Sequence, residues 1–112
     1  MTSTDNLIKK LATLTTELAN TESVEKLILF GSFARGTQTI TSDVDLAIIF
    51  IGKLTNNARA TFREIISNFE EKHNFEYDIQ PTYVTLDNYL TDEHLLNVSS
   101  SIRKDGIVLW QK

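Results

Sequence analysis

The chain has 112 residues, 41% of them hydrophobic and 23% charged, with one Pro, four Gly and no Cys, which suits a single globular domain over residues 1–112. The missing cysteines exclude disulfides, thiol nucleophiles and cysteine-held zinc or iron–sulfur clusters, and a net charge of −4 has the wrong sign for bulk nucleic-acid binding. The longest strongly apolar run, Leu46 to Ile51, falls far short of a membrane span, and the polar opening residues lack a signal-peptide core, so the expected location is the cytoplasm.

Leu7, Leu11, Leu14 and Leu18 recur at helical spacing behind the candidate N-caps Ser3, Thr4 and Asp5, which predicts a helix from about residue 4 to 20. Val24 to Phe30 is rich in β-branched and large apolar residues and stops at Gly31, as a buried strand does. The turn GSFARG follows, then a polar Thr/Gln/Ser loop. Asp43 to Phe50 opens with two carboxylates and is otherwise wholly apolar, the pattern of a central strand. From Asn56 to His73 the apolar positions Ala58, Phe62, Ile65, Ile66 and Phe69 mark an amphipathic helix. Glu76 to Val84 alternates polar and apolar, and Pro81, which cannot donate to a ladder, assigns this strand to an edge or its end. Thr91 is placed to cap a last helix burying Leu95, Val98 and Ile102, and residues 107 to 110 (IVLW) read as a closing strand. The fold class is α+β, with a small mixed sheet flanked by helices.

Three groups of residues carry chemistry. Gly31 allows close backbone approach, Ser32 offers a hydroxyl and an N–H, and a short helix opened by Ser32 to Arg35 presents free N–H groups to an anion. A P-loop is excluded, because Thr37 and Gln38 stand where its Lys and Ser/Thr belong. Asp43 and Asp45, two apart on a strand, point to one face, where their like charges call for a cation such as Mg²⁺ or Mn²⁺. Glu76 and Asp78 repeat that spacing on a neighbouring strand, and one of them can complete the acidic site. Asp78 lies deeper in the alternating run, with Tyr77, Ile79 and Tyr83 left for the packed face. His73 and His94 have no second ligand at metal spacing and read as surface residues.

Together, the stretch GSFARGTQTITSDVDL resembles the signature of the polymerase-β-like nucleotidyltransferase superfamily: GS, then RG, a short spacer, then SDxDL. Its fixed elements are all present; Phe33 departs from the basic residue that many relatives carry there, which removes one phosphate contact. The small size resembles the minimal nucleotidyltransferase branch, in particular the antitoxins of HEPN-domain toxins. The resemblance implies the polymerase-β-like fold and a transferase in which Asp43, Asp45 and Asp78 hold two Mg²⁺ ions. Gly31 and Ser32 would hold the phosphates of ATP. Arg35 is a candidate for phosphate neutralisation, with a helix salt bridge as its other reading. It further implies transfer of AMP to a hydroxyl, expected to be a tyrosine, of a partner HEPN toxin in a hetero-oligomer, so that the toxin is inactivated. Two alternatives stand beside it: an antitoxin that acts by stoichiometric binding alone, and a small-molecule nucleotidyltransferase of the aminoglycoside-modifying kind.

Overall fold

The computed structural model describes residues 2–21, 23–39, 41–91 and 102–112. Its elements are α1 (Ser3–Lys10), α2 (Ala12–Ala19), β1 (Val24–Phe30), α3 (Ser32–Arg35), β2 (Val44–Phe50), α4 (Asn56–Lys72), β3 (Ile79–Thr85), α5 (Leu86–Leu90) and β4 (Ile107–Gln111).

The first helical segment is divided in two where a single helix is expected. At Leu11 ψ falls to −6° between α1 and α2, although Leu11 still donates to the Leu7 carbonyl and accepts from the Thr15 N–H, each at 2.8 Å. All four leucines of the stripe are nonetheless buried. The N-cap is Thr2 rather than Ser3, Thr4 or Asp5: its hydroxyl accepts from the Asp5 N–H at 3.1 Å, and the Asp5 carboxylate accepts from the Thr2 N–H, closing a capping box.

Strand order is β3-β2-β1-β4, with β1 antiparallel to both neighbours and β2 parallel to β3. β2 is therefore central, as its unbroken apolar run requires. One sheet face, carrying Leu27, Leu29, Val44, Leu46 and Ile48, packs under α1, α2 and α4. The other, carrying Ile28, Phe30, Ala47, Ile49 and Val84, is covered by Ile102, Leu86 and Tyr89. Phe62 of α4 is fully buried and stacks on Tyr83 at 5.8 Å between ring centroids. Phe62→Ala is expected to cost about 3–5 kcal/mol through lost transfer energy and the cavity left behind. Thermal melting would register this as a fall on the order of 10 °C or more.

β3 starts three residues later than its alternation suggests. Asn74 and Phe75 both adopt positive φ (56°), so the chain turns before extending, and Glu76, Tyr77 and Asp78 precede the ladder. The expectation of an edge strand holds, with a local reason. The Val44 N–H donates to the Asp78 carbonyl at 2.8 Å, so Asp78 and alternate residues after it face β2, while Ile79, Pro81 and Tyr83 turn their backbone groups outward. Pro81 thus occupies a position where no donor is needed.

Thr85 caps α5, an element the sequence reading did not anticipate, accepting from the Asn88 N–H at 3.1 Å. The helix expected from Thr91 lies largely outside the described residues, as does His94. Its last turn, residues 102–105, is helical with Ile102 buried. His73 closes α4 and lies against the Phe69 ring at 4.4 Å. Among the described residues no helix is long and apolar enough to cross a membrane.

Candidate active site

Gly31 joins the end of β1 to α3, with φ 76° and ψ −155°, a conformation open almost only to glycine. Its missing side chain is also a spatial requirement. A Cβ there would run into the Oδ2 of Asp45. The sharp turn brings Ser32 to the first position of α3, and the Arg35 N–H donates back to the Gly31 carbonyl at 3.1 Å. The left-handed Gly36 (φ 74°) ends the turn.

The carboxylates come from β2 and from the residue ahead of β3. Asp45 pairs across the ladder with Phe30 of β1 and with Gln80 of β3. Its alternation with Val44 and Leu46 puts it on the face of Ala47 and Ile49, away from α1, α2 and α4. Asp43 and Asp78 each stand one residue before the paired Val44 and Ile79 and are exposed. The Asp78 Oδ1 accepts from the Gln80 Nε2 at 2.8 Å, which places the Asp78 side chain on the same face as Gln80 and hence as Asp45.

Burial raises the affinity of the half-buried Asp45 carboxyl for its proton, and the negative charge of Asp43 adds to the rise, while Arg35 opposes it. A carboxyl pressed against glycine backbone and beside a second acid is short of positive charge, and two such groups are hard oxygen donors of the kind a divalent cation takes. The pair fits that role. With the side chains as they stand, no cluster of three His, Cys, Asp or Glu at metal-holding distance exists among the described residues, and Asp78 is bonded to Gln80.

The two candidates for the third acid separate cleanly. Glu76 is held in the turn before β3 by Lys10 of α1 at 3.2 Å, on the helical side of the sheet. Asp78 alone shares the face of Asp45. Arg35 reaches the Asp105 carboxylate at 3.8 Å, so a salt bridge to the C-terminal helical turn describes it as it stands, while its charge is still felt at Asp45.

Sequence reasoning did not single out Gln80 or Asp105. Gln80 carried a usable signal, since it sits two residues beyond Asp78 on the same strand face. Asp105, seventy residues beyond Arg35, carried none.

Behind the sheet, a groove of about 580 Å³ is lined by residues including Phe33, Gln38, Ser42 and Tyr77. Phe33, Ser42 and Tyr77 are chain neighbours of Ser32, Asp43 and Asp78, and Lys10 and Glu76 line the same groove from the side of α1.

A four-stranded mixed sheet, a glycine-serine turn after its first strand and an aspartate pair at its second, Asp43 just ahead of it and Asp45 on it, define an α+β domain of the nucleotidyltransferase type. The chain belongs to the family described as Polymerase beta, Nucleotidyltransferase, whose profile matches residues 12–111. Comparison with curated proteins finds no match. Among solved structures, a candidate nucleotidyltransferase from Sulfolobus solfataricus is 22% identical, with a TM-score of 0.62 over 98% of this chain and 85% of that one. A toxin-antitoxin structure with AMP-PNP is 22% identical, with a TM-score of 0.57 over 94% of this chain and 73% of that one. A complex of a tri-AMPylated Shewanella oneidensis HEPN toxin with its MNT antitoxin gives 18% identity and a TM-score of 0.51 over 97% and 73%. At these identities the likeness is one of fold.

Proposed function

We propose that this protein is an antitoxin that transfers AMP from ATP to a hydroxyl, expected to be a tyrosine, of a partner HEPN toxin and so inactivates it. The observation that carries the reading is the Asp45 carboxylate set against the Gly31 turn, close enough to Asp43 to feel its negative charge. The antitoxin assignment draws support from the neighbours of the fold, one of which is a structure with AMP-PNP and another a complex with a tri-AMPylated HEPN toxin.

In this reading the Gly31 turn and the first N–H groups of α3 receive the outer phosphates of ATP, and Arg35 leaves Asp105 to share their charge. Asp43, Asp45 and Asp78 would hold Mg²⁺, Asp78 exchanging its bond to Gln80 for the new role. A divalent cation so held supplies charge neutralisation at the phosphates and lowers the pKa of a bound hydroxyl. The acceptor oxygen bonds to the α-phosphorus as the bond to the β-phosphate oxygen breaks, pyrophosphate leaves, and the hydroxyl proton passes to Asp78. Positioning and charge neutralisation carry most of such a transfer, and no covalent enzyme nucleophile is needed.

A second reading, neutralisation by binding alone, is favoured by one observation: the three acids do not form a cluster while Asp78 is bound to Gln80. Intact mass of the neighbouring reading frame's product, co-expressed with wild type or with Asp43→Asn/Asp45→Asn, separates the two. A gain of one or more AMP units seen with wild type alone is the expected result. Neutralisation of the partner by both forms without any mass gain would establish the binding antitoxin.

A further inference from the structure

Arg59 and Arg63 stand one turn apart on the exposed side of α4, and neither makes an ion pair among the described residues, in a chain whose net charge is negative. Neighbouring guanidiniums one turn apart repel each other weakly, and a carboxylate seated between them relieves that repulsion. They are also held in place. The Arg59 guanidinium lies 5.3 Å from the centre of the Tyr83 ring, which in turn is stacked on the buried Phe62.

The two arginines line a groove of about 430 Å³ that runs along the outer edge of β3, past Ile79, Pro81 and Tyr83, to Gln80. The far end of this groove meets the candidate active site, because the Gln80 amide donates to Asp78. Backbone pairing is largely closed off along the edge. The Ile79 N–H is taken by the Glu70 carboxylate at 3.0 Å, and Pro81 has no N–H to offer. What remains to recognise a ligand is side-chain chemistry: two forked cations and an amide suited to carboxylates on an extended chain, beside the Tyr83 ring that holds Arg59 and a Glu70 carboxylate already engaged by the Ile79 N–H.

We propose that this groove docks an acidic, extended segment of the protein that accepts the nucleotide, with Arg59 and Arg63 pairing to its carboxylates. This rests on the reading of the acceptor as a protein. From Asp78 to Tyr83 is five residues of extended chain, roughly 16 Å. The carboxylates of the acceptor therefore lie about four to five residues from the hydroxyl presented at Asp78. The groove sets register as well as affinity, since an acidic residue seated at Arg59 brings a fixed neighbour to the carboxylates.

The test uses a random glutamate–tyrosine copolymer, labelled for fluorescence anisotropy, against the full chain as wild type, as Arg59→Glu/Arg63→Glu and as Arg59→Lys/Arg63→Lys. Wild type is expected to bind in a salt-sensitive manner, the charge-reversed pair to bind roughly tenfold or more weakly, and the lysine pair to keep most of the binding. ATP binding in the presence of Mg²⁺ and the melting temperature, measured in parallel, should be the same in all three. No binding by wild type, or equal binding by wild type and the charge-reversed pair, overturns the proposal. So does tighter, Arg59- and Arg63-dependent binding of a thymidine 20-mer, which would make the groove a nucleic-acid surface. Copolymer binding that depends on the arginines, in a protein that transfers no AMP to any acceptor, would sink the catalytic reading and leave this surface standing.

Discussion

Asp45→Asn is expected to abolish nucleotidyl transfer, by on the order of 10³-fold or more, in a protein that melts no lower than wild type. Asn keeps the size of the side chain against Gly31 but removes the charge that a divalent cation and the phosphates of ATP need beside it. The stability side follows from the raised proton affinity of Asp45, caused by burial and by Asp43. In the folded protein this carboxyl holds its proton to higher pH than in the unfolded chain. Its contribution is therefore favourable below the ordinary value of 3.8 and is lost as pH rises through the raised one. Without divalent cation, the wild type should lose stability relative to Asp45→Asn as pH climbs from 3.8 upward, and added Mg²⁺ should restore it to the wild type alone. Melting curves of both forms from pH 3 to 7, with and without Mg²⁺, check this together with an AMP-transfer assay. Undiminished turnover by Asp45→Asn would remove the carboxylate from the mechanism.

Gly31→Ala is the second large effect, and it strikes fold and chemistry at once. The backbone there sits in a region that L residues avoid at a cost of about 1–3 kcal/mol, and the added methyl would meet the Asp45 carboxylate. One of the two must move. Rotation of Asp45 away from the turn separates it from Asp43, and a displacement on the order of 1 Å at such a site costs about 10²-fold in rate. Denaturant unfolding should show the loss of stability, and transfer measured well below the midpoint should show the loss of rate. A Gly31→Ala protein with wild-type turnover would mean that the turn does not position Asp45.

The elements that positioned this site in the sequence were those with strong local grammar. The run of residues 24 to 30 ending at Gly31 became β1 at the expected place, and the run from 43 to 50 became β2 one residue later, from Val44, because apolar strands bounded by glycine or charge have few other ways to bury themselves. The same grammar failed at Glu76. Read as alternation, Glu76 and Asp78 shared one face, with Asp78 preferred only for its depth in the run, yet two positive-φ residues ahead of them delay the strand, and Lys10, sixty-six residues earlier in the chain, draws Glu76 to the helical side. Nothing local in EYDIQ carries that information.

Composition and motif spacing by themselves determined an α+β chain with Gly31, Ser32, Asp43 and Asp45 brought to one turn and one strand, because those four lie within fifteen residues and obey short-range geometry, and the resemblance of that stretch to a family signature supplied the nucleotidyltransferase class. Only the tertiary structure decided that Asp78 rather than Glu76 shares their face, that Arg35 rests on Asp105, and that Arg59 and Arg63 border the same sheet edge as Gln80. Each of those depends on the parallel register of β2 with β3 or on the packing of helices across the sheet. Such contacts join residues far apart in sequence, and their energies come from burial and charge that exist only once the layers have closed.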